Sequence, residues 1–415
     1  MRFSAFLNSD AQAPSILFLV VLFLIHVAAA QADEPVRPRL EAKPDVQKIL
    51  GRLRPNEAVL LGKASVVGDF NAVARRFDLD STGPRARDYS IKMVWVPERR
   101  RALFAGANHG RPHRLNDVWE FDLAALSWVL LYPPDNPRSY SGLGSDYSDV
   151  EFRDGILITR RGGPVVIAHT WWGLTWDPKI RRMLFMNTWD TKEEEAIRLV
   201  GGDPAQRYTG PPLWSFDPQM GKWEFVQTER PWPAAPFGAM LEYVPELAGS
   251  VWHMNNWKMR GAWLYRAPER SWSNLHANRE AGNFKQAAPG AELVGYYDPS
   301  RRIVVAQRRK ETFHFDVAQA AWKKVATAAK DDESMPYGHD ARNPFHYDPV
   351  SRFGLLVDVR GGAVWSYDPD GVKWTRLEPK GDPMPRGKRS LAYVDHAAKV
   401  LVVIDDTTVW AYRYR

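Results

Sequence analysis

Two imidazoles and two guanidinium groups are the side chains of this sequence best suited to chemistry: His169, His339, Arg342 and Arg360. Histidine titrates nearest neutrality, so His169 or His339 is a candidate general base, provided it comes within hydrogen-bond reach of a substrate atom. Arg342 or Arg360 would hold a carboxylate through its planar pair of donors. Together they suit a lyase or epimerase acting on an acidic sugar. A wider set suits recognition. It comprises Arg87, Asn108, His109, Asn187 and Trp189, then Asn255, Asn256 and Trp257, and finally Arg308, Asp358, Arg360, Arg386 and Arg389. Arginine and amide donors with two tryptophans fit an anionic glycan or a protein partner. His109, His169 and His339 could offer imidazoles to a metal, but they lack tight ligand spacing, so no metal or cofactor is expected.

What must position these residues is a repeat. An aromatic-x-aromatic-Asp run followed by a Trp appears as Trp119, Phe121, Asp122 and Trp128, and again as Trp214, Phe216, Asp217 and Trp223. It returns as Trp263, Tyr265 and Trp272, with Arg266 in place of the Asp. Phe313, Phe315, Asp316 and Trp322 follow, then Trp365, Tyr367, Asp368 and Trp374. A sixth copy starts at Trp410 and Tyr412 and stops at Arg415 before its second Trp. After a longer first interval the copies recur roughly every 50 residues, the period of propeller blades. Trp189 and Trp257 stand outside that register, which is why they count as candidate ligand contacts.

Each copy is preceded by another strand pair, such as Phe345-His346-Tyr347, turning through Asp348-Pro349 into Gly354-Leu355-Leu356-Val357. Asp-Pro marks a turn because proline presets φ at the second turn position. Each unit therefore has four antiparallel strands, a to d from the hub outwards, and the fold is all-β: a six-bladed β-propeller. The last unit lacks strand d. The N-terminal strand near Ala58 to Leu61 is expected to supply it and so close the ring. On this reading the d-to-a and b-to-c loops share one face, and the candidate residues sit on it. Two oversized loops, 133–167 and 188–212, fall on the same blade and face and are expected to wall the channel mouth.

Arg2, the apolar run Ile16 to Ile25 and the small residues Ala28-Ala29-Ala30-Gln31-Ala32 read as a signal peptide over residues 1–32 or an uncleaved anchor. A Pro- and charge-rich linker spans 33–56, with a short helical turn at Asp45 to Leu50, and the propeller spans 57–415. The protein is thus expected to be secreted or periplasmic, touching membrane only through an uncleaved N-terminal segment. With no Cys, it has no disulfides, thiolate metal site or Cys nucleophile. A net charge of +7 over 415 residues without a basic helix does not suit nucleic acid; a monomer binding a glycan or protein, anionic ligands included, is expected.

The aromatic-x-aromatic-Asp and Trp pattern over residues 85–415 resembles Kelch repeats, and the exported character resembles a bacterial-type member of that superfamily. The diglycine that ends strand b in Kelch repeats survives here only as Gly361-Gly362, with a remnant at Ala105-Gly106. The resemblance implies a Kelch-type propeller that binds through its loop face. Galactose-oxidase-like copper chemistry needs a Cys cross-linked to a Tyr, which this chain lacks. The exported Kelch-type sialic acid epimerases are similar in size, compartment and Arg-rich mouth, and they imply the enzymatic alternative.

Overall fold

The computed structural model describes residues 40–67, 84, 87, 90–106, 115–136, 147–167, 170–187, 193–233, 240–255, 260–275, 289–290, 292–338, 343–387 and 390–415. Six small antiparallel sheets form a six-bladed β-propeller. The inner strands are Met93–Val96, Leu174–Asp177, Met240–Val244, Val294–Asp298, Phe345–Asp348 and Ser390–Asp395, one per blade. Each touches the inner strand of the blade before and after it, and the last touches the first, so the hub is a closed ring.

The repeated aromatics are the blade cores. In the first five blades the second aromatic of strand c pairs directly across with the Trp of strand d: Phe121 with Trp128, Phe216 with Trp223, Tyr265 with Trp272, Phe315 with Trp322 and Tyr367 with Trp374. Their ring centroids lie 4.8–5.2 Å apart, and all ten side chains are buried. Such pairs contribute about 0.5–1.5 kcal/mol beyond the area they bury. The repeated Asp has a separate task. Asp122, Asp217, Asp316 and Asp368 each accept a backbone N–H from the following c-to-d turn at 2.8–3.0 Å. At the a-to-b turns Asp177, Asp298, Asp348 and Asp395 accept turn N–H groups at 2.9–3.3 Å. A buried strand end would otherwise leave those donors unsatisfied.

Strand d of the sixth blade is Glu57–Lys63, which pairs antiparallel with Thr408–Arg413 from Glu57↔Arg413 to Lys63↔Thr408. The N-terminal strand thus completes the sheet whose other three strands come from the C-terminal end. Ser65–Val67 then runs parallel to the outer strand of blade 1, so the same stretch of chain staples blades 6 and 1 together. Within the expected linker, helix α1 (Pro44–Arg52) buries Val46 and Leu50 in the main core cluster. It is held by Lys43 N–H to Ala124 O at 2.8 Å and by Arg413 Nη2 to Leu50 O at 3.0 Å. Among the described residues no helix is long and apolar enough to cross a membrane.

The two insertions pack on each other. Residues 133–167 carry the hairpin Val150–Arg153/Ile156–Thr159, and residues 188–212 carry helix α2 (Glu193–Leu199). Val150, Leu157, Val165 and Val166 of the first bury Ala196 and Ile197 of the second. Tyr208 N–H donates to Gly155 O at 2.7 Å, joining them by backbone as well. At the base of the first insertion, Asp135 accepts from Asn116, Tyr132 and Thr159 at 2.7–2.8 Å and from Arg161 at 3.0 Å.

Because the ring is sealed by one edge strand, removing residues 40–66 should abolish the cooperative unfolding transition in thermal and urea melts of the whole chain. A truncated protein that melts cooperatively near the parent temperature would contradict closure by this strand.

Candidate functional site

Antiparallel alternation sends every d-to-a and b-to-c connection to one end of the blades and every a-to-b and c-to-d turn to the other. Arg87, Asn187, Asn255, Arg308, Asp358, Arg360 and Arg386 lie on or beside the first face. Asn108, His109, His169, Trp189, Asn256, Trp257, His339, Arg342 and Arg389 lie outside the described residues. Asn255 ends strand b of blade 3, opposite Arg260.

The remaining candidates divide by burial. Arg87 is 1% exposed and grips Asp117 with two parallel hydrogen bonds of 2.9 and 2.6 Å while donating to Gly106 O at 2.7 Å. Asp117 also accepts from Trp119 Nε1 at 2.6 Å. This guanidinium ties the segment entering blade 1 to its strands b and c. Asn187 is buried and donates Nδ2 to Val166 O at 2.7 Å, joining the end of strand b of blade 2 to the first insertion. Arg308 is half-buried beside Glu311, 3.7 Å away.

Arg360 and Arg386 are exposed, and the fold brings their loops together. Asp358 Oδ1 accepts from Gly361 N–H at 2.9 Å, shaping the turn that carries Arg360. Gly362 has φ 61°, and a Cβ there would meet Arg386 Nε at 2.5 Å. At the neighbouring Gly387 a Cβ would overlap the carboxylate of Asp405, which accepts from Ser390 Oγ at 3.0 Å. The chain at Arg386-Gly387 is thus laid between the b-to-c turns of blades 5 and 6. The surviving diglycine has a physical purpose here: it lets an arginine from one loop lie on the turn of another.

A second cluster lies in the hub itself. Lys92 reaches from blade 1 past blade 2 to blade 3, donating to Leu241 O at 3.0 Å and to Glu242 Oε1 at 2.5 Å. Trp172 precedes the inner strand of blade 2 and lies under the ammonium, 5.2 Å from ring centre to Nζ. Its Nε1 donates to Gly295 O at 2.7 Å and stands 3.1 Å from Glu242 Oε1. From blade 5, His346 sets its ring 5.3 Å from that of Trp172, and its buried Nε2 has no hydrogen-bond partner. Side chains and backbone from blades 1 to 5 therefore meet at the axis. Burial pushes Lys92 down and Glu242 up, and their mutual attraction opposes both shifts. Burial, with the Lys92 charge second, pushes His346 from 6.5 down to about 3 and keeps it neutral.

None of these four residues stood out in the sequence, because each occupies an inner strand or its lead-in and reads as core. The available signal was a charged or imidazole side chain inside an otherwise apolar run, as in Leu241-Glu242-Tyr243 and Phe345-His346-Tyr347. Among the described residues no three His, Asp or Glu side chains are grouped to hold a metal. No protein-family model matches the chain, and no curated protein matches it either.

Two measurements probe the hub. Lys92→Met should lower stability by about 3–5 kcal/mol, since it strands a buried carboxylate. Glu242→Gln in the same chain should recover part of that loss; additive losses in the double variant would mean the two groups are uncoupled. His346 is depressed on folding, so the unfolded chain binds the extra proton between pH 6.5 and about 3, and stability falls as pH drops through that window. In pH-dependent urea melts His346→Gln should fall less steeply there than the parent; identical slopes would show that His346 is not held neutral.

Proposed function

We propose that this protein is an exported, monomeric, Kelch-type propeller that binds an anionic glycan or an acidic segment of a partner protein through its d-to-a and b-to-c loop face. The observation that carries this reading is the meeting of the loops that present Arg360 and Arg386. Both are exposed, they come from neighbouring loops on that face, and a glycine stacked under one of them makes room for the arrangement. The hub charges, by contrast, are spent on one another: Lys92 and Glu242 form a closed pair with little surface left. Two exposed guanidinium groups on adjoining loops can each grip a carboxylate or sulfate bidentately. Export rests on the N-terminal apolar run and the small residues that follow it, and the Kelch assignment on the repeat pattern and its one diglycine.

One observation favours the enzymatic alternative, a lyase or epimerase on an acidic sugar. A neutral imidazole and a carboxylate raised by burial both lie at the hub, and groups with displaced pKa values gather at catalytic sites. The loop candidates His169, His339 and Arg342 belong to the same alternative.

A panel of uronic- and sialic-acid oligosaccharides, read by thermal shift and by product formation, separates the two. Binding without turnover, weakened about tenfold or more by Arg360→Ala or Arg386→Ala at an unchanged melting temperature, is expected. Conversion of any oligosaccharide would select the enzyme. Unaltered affinity in both arginine variants would remove this patch from the ligand site.

A further inference from the structure

The face opposite the loops carries a feature that the binding reading does not use. Each a-to-b turn ends on a residue in the left-handed region, with φ from 51° to 59°, and none of the six is a glycine. They are Arg100, Arg181, Ala248, Arg302, Arg352 and Lys399, one per blade. A side chain in that conformation is uncommon and strained relative to glycine. Five of these six positions nevertheless carry a cation, and all five cations are exposed. Because the inner strands form a closed ring, equivalent turn positions encircle the channel axis. The cations therefore form a ring.

The acidic groups of the same turns do little to cancel it. Asp177, Asp298, Asp348 and Asp395 are buried and turned onto backbone N–H groups of their own turns. Glu246 accepts from Tyr297 Oη and forms a long ion pair with Arg302 at 3.9 Å, while Glu98 is exposed beside Arg100. Between the turns of blades 1 and 6 there is also a cavity of about 590 Å³, with Arg100, Lys399 and Arg413 in its wall and helix α1 along one side.

Helix α1 gives the second argument. It sits on this turn face, against the c-to-d turn of blade 1. The sequence before it contains the apolar run Ile16 to Ile25.

We infer that the turn face docks on an anionic lipid surface, its cationic ring meeting lipid phosphates and the N-terminal apolar run of the sequence supplying a second attachment. The loop face then points away from the membrane. One apolar segment alone gives weak, composition-indifferent attachment, and a basic surface supplies the second signal.

The test is sedimentation of the full chain with phosphatidylcholine vesicles, with and without phosphatidylglycerol. The parent should prefer the phosphatidylglycerol vesicles, and salt should reduce that preference. The combined variant Arg181→Gln, Arg302→Gln and Arg352→Gln should reduce it on the order of a hundredfold, about fivefold per cation. Binding to phosphatidylcholine alone, which reports the apolar segment, should not change. The matching three arginine-to-lysine substitutions should restore the preference, which separates loss of charge from damage to the turns. Equal partition of the parent between the two vesicles would overturn the inference, as would an unreduced preference in the glutamine variant. So would a soluble polyuronate that binds the ring while vesicles do not.

Discussion

A ring of sheets is only as strong as its last seam, and here the seam is strand Glu57–Lys63 against Thr408–Arg413. Five blades are each built from one continuous stretch of chain, so their strands find one another locally. The sixth needs a strand from the other end of the sequence, and without it an open edge would face solvent. The joint is reinforced beyond its ladder. Tyr412 Oη donates to Asn56 Oδ1 at 2.8 Å, Arg413 ties α1 to the last blade, and Ser65–Val67 continues onto blade 1. One short piece of chain therefore touches the last blade, the first blade and the helix beneath them. Every loop position on the molecule depends on that contact.

The hub answers a different demand. Six inner strands converge on an axis where water has little room, so any polar side chain placed there must find its partner inside. Lys92, Glu242 and Trp172 meet that demand across blades 1 to 3, while His346 meets it by staying neutral. An ion pair in such a place does not strengthen the fold relative to a well-packed apolar core, since desolvation offsets most of the attraction. What it does is tie blade 1 to blade 3, since Lys92 donates to both Leu241 O and Glu242. The charges that remain outside are sorted by face. The loop side presents arginines set individually by local turns, and the turn side presents cations repeated once per blade.

The blades were legible in the sequence because one physical requirement recurs at a fixed interval. Five sheets carry an aromatic pair between strands c and d, and four of these carry a carboxylate that caps the turn between them, so Phe121, Asp122 and Trp128 reappear with little change around most of the ring. The missing second Trp after Tyr412 likewise signalled a strand borrowed from elsewhere. The candidate site was legible only in outline. Arg87 and Asn187 read as ligand contacts because an arginine and an asparagine in a loop look available, yet their hydrogen bonds go to Asp117, Gly106 O and Val166 O. Nothing local distinguishes them from Arg360, whose side chain is exposed.

The sequence by itself determined the blade count, the blade repeat, the turn chemistry and the borrowed edge, because these arise from contacts between residues close in the chain or from a pattern that repeats. Only the tertiary structure decided which charges are free. Lys92 and Glu242 are 150 positions apart in the chain, as are the two ends of the closing sheet by a still greater distance, and such pairs carry no local signature. Ring closure is what sets blade 1 beside blade 6 and aligns six equivalent turns about one axis. It turns scattered arginines into a patch on one face and a ring on the other, since the field at a surface depends on where charges sit in space rather than on their order along the chain.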